Sequence, residues 1–313
     1  MKTSINGIRK LMLFCAGVII LNLSYSQEIE LKSNGYGEKN LKKFPKKVYV
    51  KEFNVNFQMT ADAKAVSKTT TNSSKGSSSA SMNVAVTGID AADLQNITNA
   101  VYNDFVNAFK SQGFEVLTVN DIGDLKYFEE YELMGANINE DQNPGYLKVT
   151  PEGFQYYVKG ISNSGKEKQV VGAPMRLLKE MDDVMVVTAD YTFSAIDLNA
   201  SQSSVLGTSS VKGNIGLKMP SCVLNAWAGK MIAINYTPKK IPEFEGVFEN
   251  EGEKLKAFSM ATKPTYSGFL THSSNDFTHE AKCDKDKYVA TTTGTMKEFN
   301  NQALGEIFGY FNK

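Results

Sequence analysis

From Phe53 the chain alternates. The odd positions read Phe53, Val55, Phe57, Met59, Ala61, Ala63 and Ala65, and the even positions read Asn54, Asn56, Gln58, Thr60, Asp62 and Lys64, a period of two held over 13 residues. That period predicts a β-strand with one apolar and one wet face. A Ser/Thr/Lys/Gly tract, Ser67 to Ser79, follows; it holds no apolar group to offset its ordering entropy. Alternation resumes with Ala80, Met82, Val84 and Val86, so 53–86 is expected to form a long hairpin with a flexible polar tip.

At Asp90 the period changes. Asp90 has the position of a helix N-cap, with Asp93 three residues on, and Leu94, Ile97, Val101, Phe105 and Phe109 keep one helical face. Gly113 is a natural stop, and Phe114 to Val119 reads as a strand. A helix over 90–112 between two strands predicts a unit whose helix covers a sheet.

The pattern blurs from Asn120 to Gly172, where Asn143-Pro144-Gly145 and Thr150-Pro151-Glu152-Gly153 mark turns. A boundary near Gly165 would divide the remainder into a sheet-and-helix half, 27–165, and a hairpin-rich half, 166–313, unless the two form one continuous domain. In the second half Pro174 to Met181 reads as a short helix. Val184 to Leu198 and Val205 to Met219 read as a second hairpin, and Met231 to Tyr236 as a further strand. Pro238 to Lys287 reads as loops and short strands. Thr295-Met296-Lys297-Glu298 has the spacing of a capping box, and Phe299, Ala303, Ile307 and Phe311 recur at four-residue steps, which predicts a terminal helix over 296–311. The expected class is α+β, with a mixed or antiparallel sheet, long hairpins and a few packed helices.

The first 26 residues carry a different pattern. Lys2, Arg9 and Lys10 precede an apolar run from Leu11 to Leu23, and Ser24-Tyr25-Ser26 supplies small residues around a cleavable bond. This is the form of a secretory signal peptide, since the run is shorter than the roughly 20 residues of a spanning helix. The expected location is therefore outside the cytoplasm: periplasm, outer membrane or extracellular space. Cleavage removes three of the 34 basic residues and none of the 34 acidic ones, leaving 287 residues with a formal charge of −3. That balance argues against a nucleic-acid partner.

Two cysteines remain after cleavage, Cys222 and Cys283, and in an exported chain such a pair is a disulfide candidate. The only histidines, His272 and His279, lie near Glu280, Cys283, Asp284 and Asp286, but the spacing matches no zinc pattern, and Asp284-Lys285-Asp286-Lys287 lacks the glycine and distal glutamate of a calcium loop. No nucleophile elbow, P-loop or dinucleotide-binding glycine motif occurs. Glu129-Glu130 and Asp182-Asp183 read as solvated pairs. No catalytic, cofactor-binding or metal-ligating residue is assigned, and no cofactor is expected. Asn72, Asn96, Asn199 and Asn235 head glycosylation triplets, which carry no weight beside a leader of bacterial form.

The order of a Val48-Tyr49-Val50 strand, a capped helix ending at Gly113-Phe114-Glu115-Val116, and a later long hairpin resembles the curli-type secretion channel lipoproteins and the related N-terminal domain of the periplasmic TolB family. The resemblance covers about residues 47–120 and, loosely, 184–219; it implies a helix packed on a sheet and, for the channels, two hairpins per subunit contributing to a shared barrel. The lipobox that anchors those channels is missing here. Three readings follow, the third a hydrolase or metal-binding protein centred on His272 to Asp286. The first is an exported, non-enzymatic binding or assembly protein with a protein partner or self-association. The second is an oligomeric β-pore whose hairpins 53–86 and 184–219 enter a membrane, because transmembrane strands have the same alternation as a half-wet sheet.

Overall fold

The computed structural model describes residues 29–71, 74–135, 138–168, 174–203, 206, 208–260 and 278–312. The leader read over 1–26, Asn72 and His272 lie outside them.

The α+β class holds. In chain order the strands are β1 (Leu31–Tyr36), β2 (Lys47–Gln58), β3 (Thr60–Thr71), β4 (Ser74–Thr87), β5 (Glu115–Leu117), β6 (Glu132–Met134), β7 (Ile138–Asn143), β8 (Tyr146–Val149), β9 (Tyr156–Val158), β10 (Met185–Ser203), β11 (Thr208–Ala228), β12 (Ile232–Pro238), β13 (Glu243–Phe244), β14 (Leu255–Met260) and β15 (His279–Lys282). The α-helices are α1 (Ala91–Ser111), α2 (Leu177–Glu180) and α3 (Lys285–Phe311). The main sheet runs β1-β12-β11-β10-β2-β8-β7, with β5 beside β2 and β13 and β14 beside β11. Its central pair, β2 and β10, is parallel and comes from opposite sides of residue 165, so both halves share one sheet.

One face of this sheet is apolar and lies under α1 and α3. Phe53, Val55 and Phe57 of β2 are fully buried, as are Leu94, Val101, Phe105 and Phe109 of α1 and Phe299, Ala303 and Ile307 of α3. Ring contacts fasten the layers: Phe53 meets Phe105 edge-on at 5.5 Å, and Phe109 meets Phe308 at 5.4 Å. The Tyr191 hydroxyl donates to Asn300 at 2.6 Å, tying β10 to α3. The α1 start matches expectation, with Asp90 and Asp93 each accepting from the other's backbone N–H.

Three expectations are corrected. The alternating run from Phe53 is two strands, not one. The chain turns a corner at Met59, where the N–H groups of Met59 and Thr60 both donate to the Gly145 carbonyl, at 2.7 and 3.0 Å. β2 stays in the main sheet while β3 joins β4 and β15 in a second one. A corner preserves the two-residue period, so alternation alone cannot reveal it.

On both sides of Asn72 and Ser73, which lie outside the described residues, the Ser/Thr tract continues the ladder rather than leaving it. β3 and β4 remain paired from Thr60↔Ala85 to Thr71↔Ser74. Its small side chains let the second sheet approach the β10–β11 hairpin closely, and Ser67 and Ser78 are buried there. Ser67 donates to the Ser203 carbonyl at 2.8 Å, and the Ser78 and Ser209 hydroxyls meet at 2.8 Å.

The terminal helix begins at Lys285. Asp284 is its cap, accepting from the Lys287 N–H at 3.2 Å, and Thr295 is buried in mid-helix. A capping-box spacing inside a longer amphipathic run is a coincidence of residue types that burial overrides.

Candidate functional site

The other face of the main sheet is polar. In register across it stand Asn235, Asn225, Thr188 and Glu52, followed on β10 and β2 by Asp190 beside Asn54 and Thr192 beside Asn56. β2 presents this row because of a bulge. Val187 pairs with Val50 and Thr188 with Glu52, so Lys51 is one residue too many. The extra residue shifts the parity: Val48 and Val50 face the helices before it, and Phe53, Val55 and Phe57 after it.

Between β5 and β10, described residues outside β7 and β8 roof the polar face. The roof's hydrophobic anchor is a small cluster in which Phe128, Leu177, Leu178 and Met181 pack with Tyr49 and Val186 of the sheet, with Trp227 at its margin. Phe128 stacks on Tyr157 of β9 at 4.1 Å. Between floor and roof lies a cavity of about 890 Å³. A neighbouring hollow of about 660 Å³ shares Tyr127 and Pro174 with it and is lined by charged groups, including Arg176, Lys179 and Glu180. The first volume is within the usual range for a small-molecule site.

The cavity is rich in charge, most of it internally matched. Lys51 is paired with Glu52. Lys148 of β8, also buried, donates to Glu167 at 2.5 Å, and Glu167 accepts from the Tyr156 hydroxyl at 2.7 Å. Gln142 places Glu167 by accepting from its backbone N–H at 2.8 Å. Asp190 differs. It accepts from the Asn56 amide at 3.4 Å, a long bond, and no cation among the described residues forms an ion pair with it. Burial holds its carboxyl up to about 6, against an ordinary 3.8, while Lys148 and the asparagine amides pull the other way. Asn54 is 4% exposed, and its Oδ1 has no hydrogen-bond partner among the described residues. Asn235 donates to Asn225 Oδ1 at 2.8 Å, and Asn225 to Thr188 Oγ1 at 3.2 Å, so that row of amides is already oriented.

The alternation of β2 exposed Asn54 and Asn56 as a wet face but gave no sign that a roof covers it. Gln58, read with them, serves the sheet instead. It is buried, and its Oε1 accepts from the N–H groups of Ala195 and Ile196 at 2.8 and 2.9 Å, where the β10 register shifts. Asp190 was missed. Its signal is an acid inside the otherwise apolar first stretch of Val184 to Leu198. Lys148 and Glu167 carried none, because they meet only in the fold.

The residues singled out for other chemistry lie elsewhere. Cys222 and Cys283 are free, buried thiols, and the disulfide expected between them is not formed. Cys222 lies on the helix-side face of β11 opposite Tyr191, and Cys283 leads from β15 into α3, with its N–H on the Thr87 carbonyl. His279 and Glu280 belong to β15, which pairs with β4, and Asp284 caps α3. Among the described residues no three His, Cys, Asp or Glu side chains are grouped to hold a metal ion. Glu129, Glu130, Asp182 and Asp183 are exposed.

No family model matches this chain, and no curated protein matches it.

Proposed function

We propose that this is an exported, non-enzymatic binding protein whose ligand occupies the roofed polar cavity. The observation that supports the reading most is the cavity itself: about 890 Å³ over an ordered row of amides, with an unpaired carboxylate in its floor. Buried polar atoms are costly when unsatisfied, and a ligand that completes their hydrogen bonds relieves that cost. The sheet beneath is rigid on its far side, where two helices pack on it, so the floor is preorganised for binding. The leader pattern at Lys2 to Ser26 supports work outside the cytoplasm.

A thermal-shift panel of sugars, amino acids, amines and carboxylates tests this on mature residues 27–313. Val223 lines the cavity from β11 without a side-chain hydrogen bond. At least one class should raise the unfolding midpoint of the wild type, and Val223→Trp, which fills the space, should abolish the rise. A panel with no rise, or a rise that survives Val223→Trp, rejects the cavity as a binding site.

A further inference from the structure

Three lysines and three carboxylates line the cavity: Lys51, Lys148 and Lys166, and Glu52, Glu167 and Asp190. Lys51 and Glu52 match each other, as do Lys148 and Glu167, which leaves Asp190 in the floor and the exposed Lys166 on the roof, with no ion pair between them. Beside Asp190 in register, Asn54 supports the carboxylate through its amide. Aromatic surface is at hand, since Trp227 of β11 and Tyr127 of the roof both line the cavity and both are half-buried. A carboxylate and aromatic side chains in a partly dry site are groups that recognise an ammonium: the first supplies charge and accepts its N–H bonds, and the rings attract the cation through their π-faces.

We propose that the cavity binds a ligand through a protonated amine seated on Asp190, an inference that rests on the binding reading above. Neutral polyols would satisfy the acceptors but leave the Asp190 charge unmatched; carboxylate or phosphate ligands would meet it with repulsion.

The charged groups that line the cavity with Asp190 are Lys51 and Glu52 on β2, Lys148 on β8, and Glu167 and Lys166 on the roof. Behind it, on the helix side, burial keeps Tyr191 and Cys222 protonated. Asp190 is thus the group whose protonation would govern amine affinity just below neutral pH.

Calorimetric titration of mature residues 27–313 with butylamine, 1,4-diaminobutane and spermidine tests the proposal, with erythritol and butyrate as controls. The amines should bind at pH 7.5 at least tenfold more tightly than the controls. Their affinity should fall about tenfold per pH unit below about 6, as the carboxylate takes up its proton. Asp190→Asn keeps the shape of the side chain and removes its charge; it should weaken the amines at least tenfold and flatten the pH dependence, with circular dichroism verifying the fold. If erythritol or butyrate binds best and Val223→Trp blocks it, the binding reading stands and the amine assignment falls. Should amines bind equally to Asp190→Asn, the assignment also falls. If no probe binds and the wider panel is silent as well, both fall.

Discussion

Asp190 has a cost for the folded chain that its neighbours do not remove. Its folded carboxyl titrates near 6 rather than 3.8, so between those values the native state holds a proton that the unfolded chain has released. Native binding of the extra proton means that stability falls as pH rises from about 4 to about 6, then levels. Asp190→Asn has no such proton. It should therefore be the more stable protein at pH 8, by about 1–2 kcal/mol after allowance for the solvent that reaches this side chain, and the gain should vanish by about pH 4. Chemical denaturation at the two pH values checks this; a variant less stable at pH 8 would mean that the carboxylate is held by contacts stronger than its asparagine amides. A residue carrying this much of the site was visible in the sequence only as an acid in an apolar strand. Its importance depends on which charges come near it, and those arrive from positions 52, 148 and 167 through tertiary packing.

At the scale of elements, what local chemistry dictates was legible and what distant contacts dictate was not. The α1 helix follows from its 3.6-residue apolar stripe and a cap that needs only four consecutive residues. The Met59 corner depends on a turn some 85 residues away, since the Gly145 carbonyl takes both amides that would otherwise continue the β2 ladder. Pro144 and Gly145 form the two-residue connection between β7 and β8, with Asn143 paired to Tyr146, and Gly145 has φ +80°. Proline then glycine with positive φ is the order a type II turn requires. A Cβ on Gly145 would meet the Thr60 carbonyl oxygen at 2.3 Å, so alanine there is both strained and obstructed. Gly145→Ala should destabilise the protein by about 1–3 kcal/mol in urea unfolding. It should also loosen the corner, seen as faster hydrogen exchange at Met59 and Thr60 than in the wild type. An unchanged exchange rate would show that the corner is held without this turn.

For the whole molecule, the question is what the paired hairpins are for. Read along the chain, each offers an apolar and a polar face, and that pattern fits either a lipid-facing strand or a buried one. In the fold, the small apolar positions of the first hairpin, among them Ala65, Ala80, Met82 and Val84, are buried, while Asp62, Lys64 and Lys68 face outward. Insertion into a membrane would therefore require the second sheet to leave β10 and β11 and expose that face to lipid, whereas a binding protein would keep the two together. The Ser78 and Ser209 hydroxyls, 2.8 Å apart, mark a place where a bond can decide between these. Ser78→Cys with Ser209→Cys should oxidise to a bridge across the two sheets, at residues that do not line the polar cavity, and the native Cys222 and Cys283 are too buried to compete. The bridged protein should remain monomeric by light scattering, leave dye-loaded liposomes intact, and keep whatever ligand response the wild type shows. Dye release by the reduced protein that stops on oxidation would instead establish that the hairpins part and insert, and the pore would then be the better account of the fold.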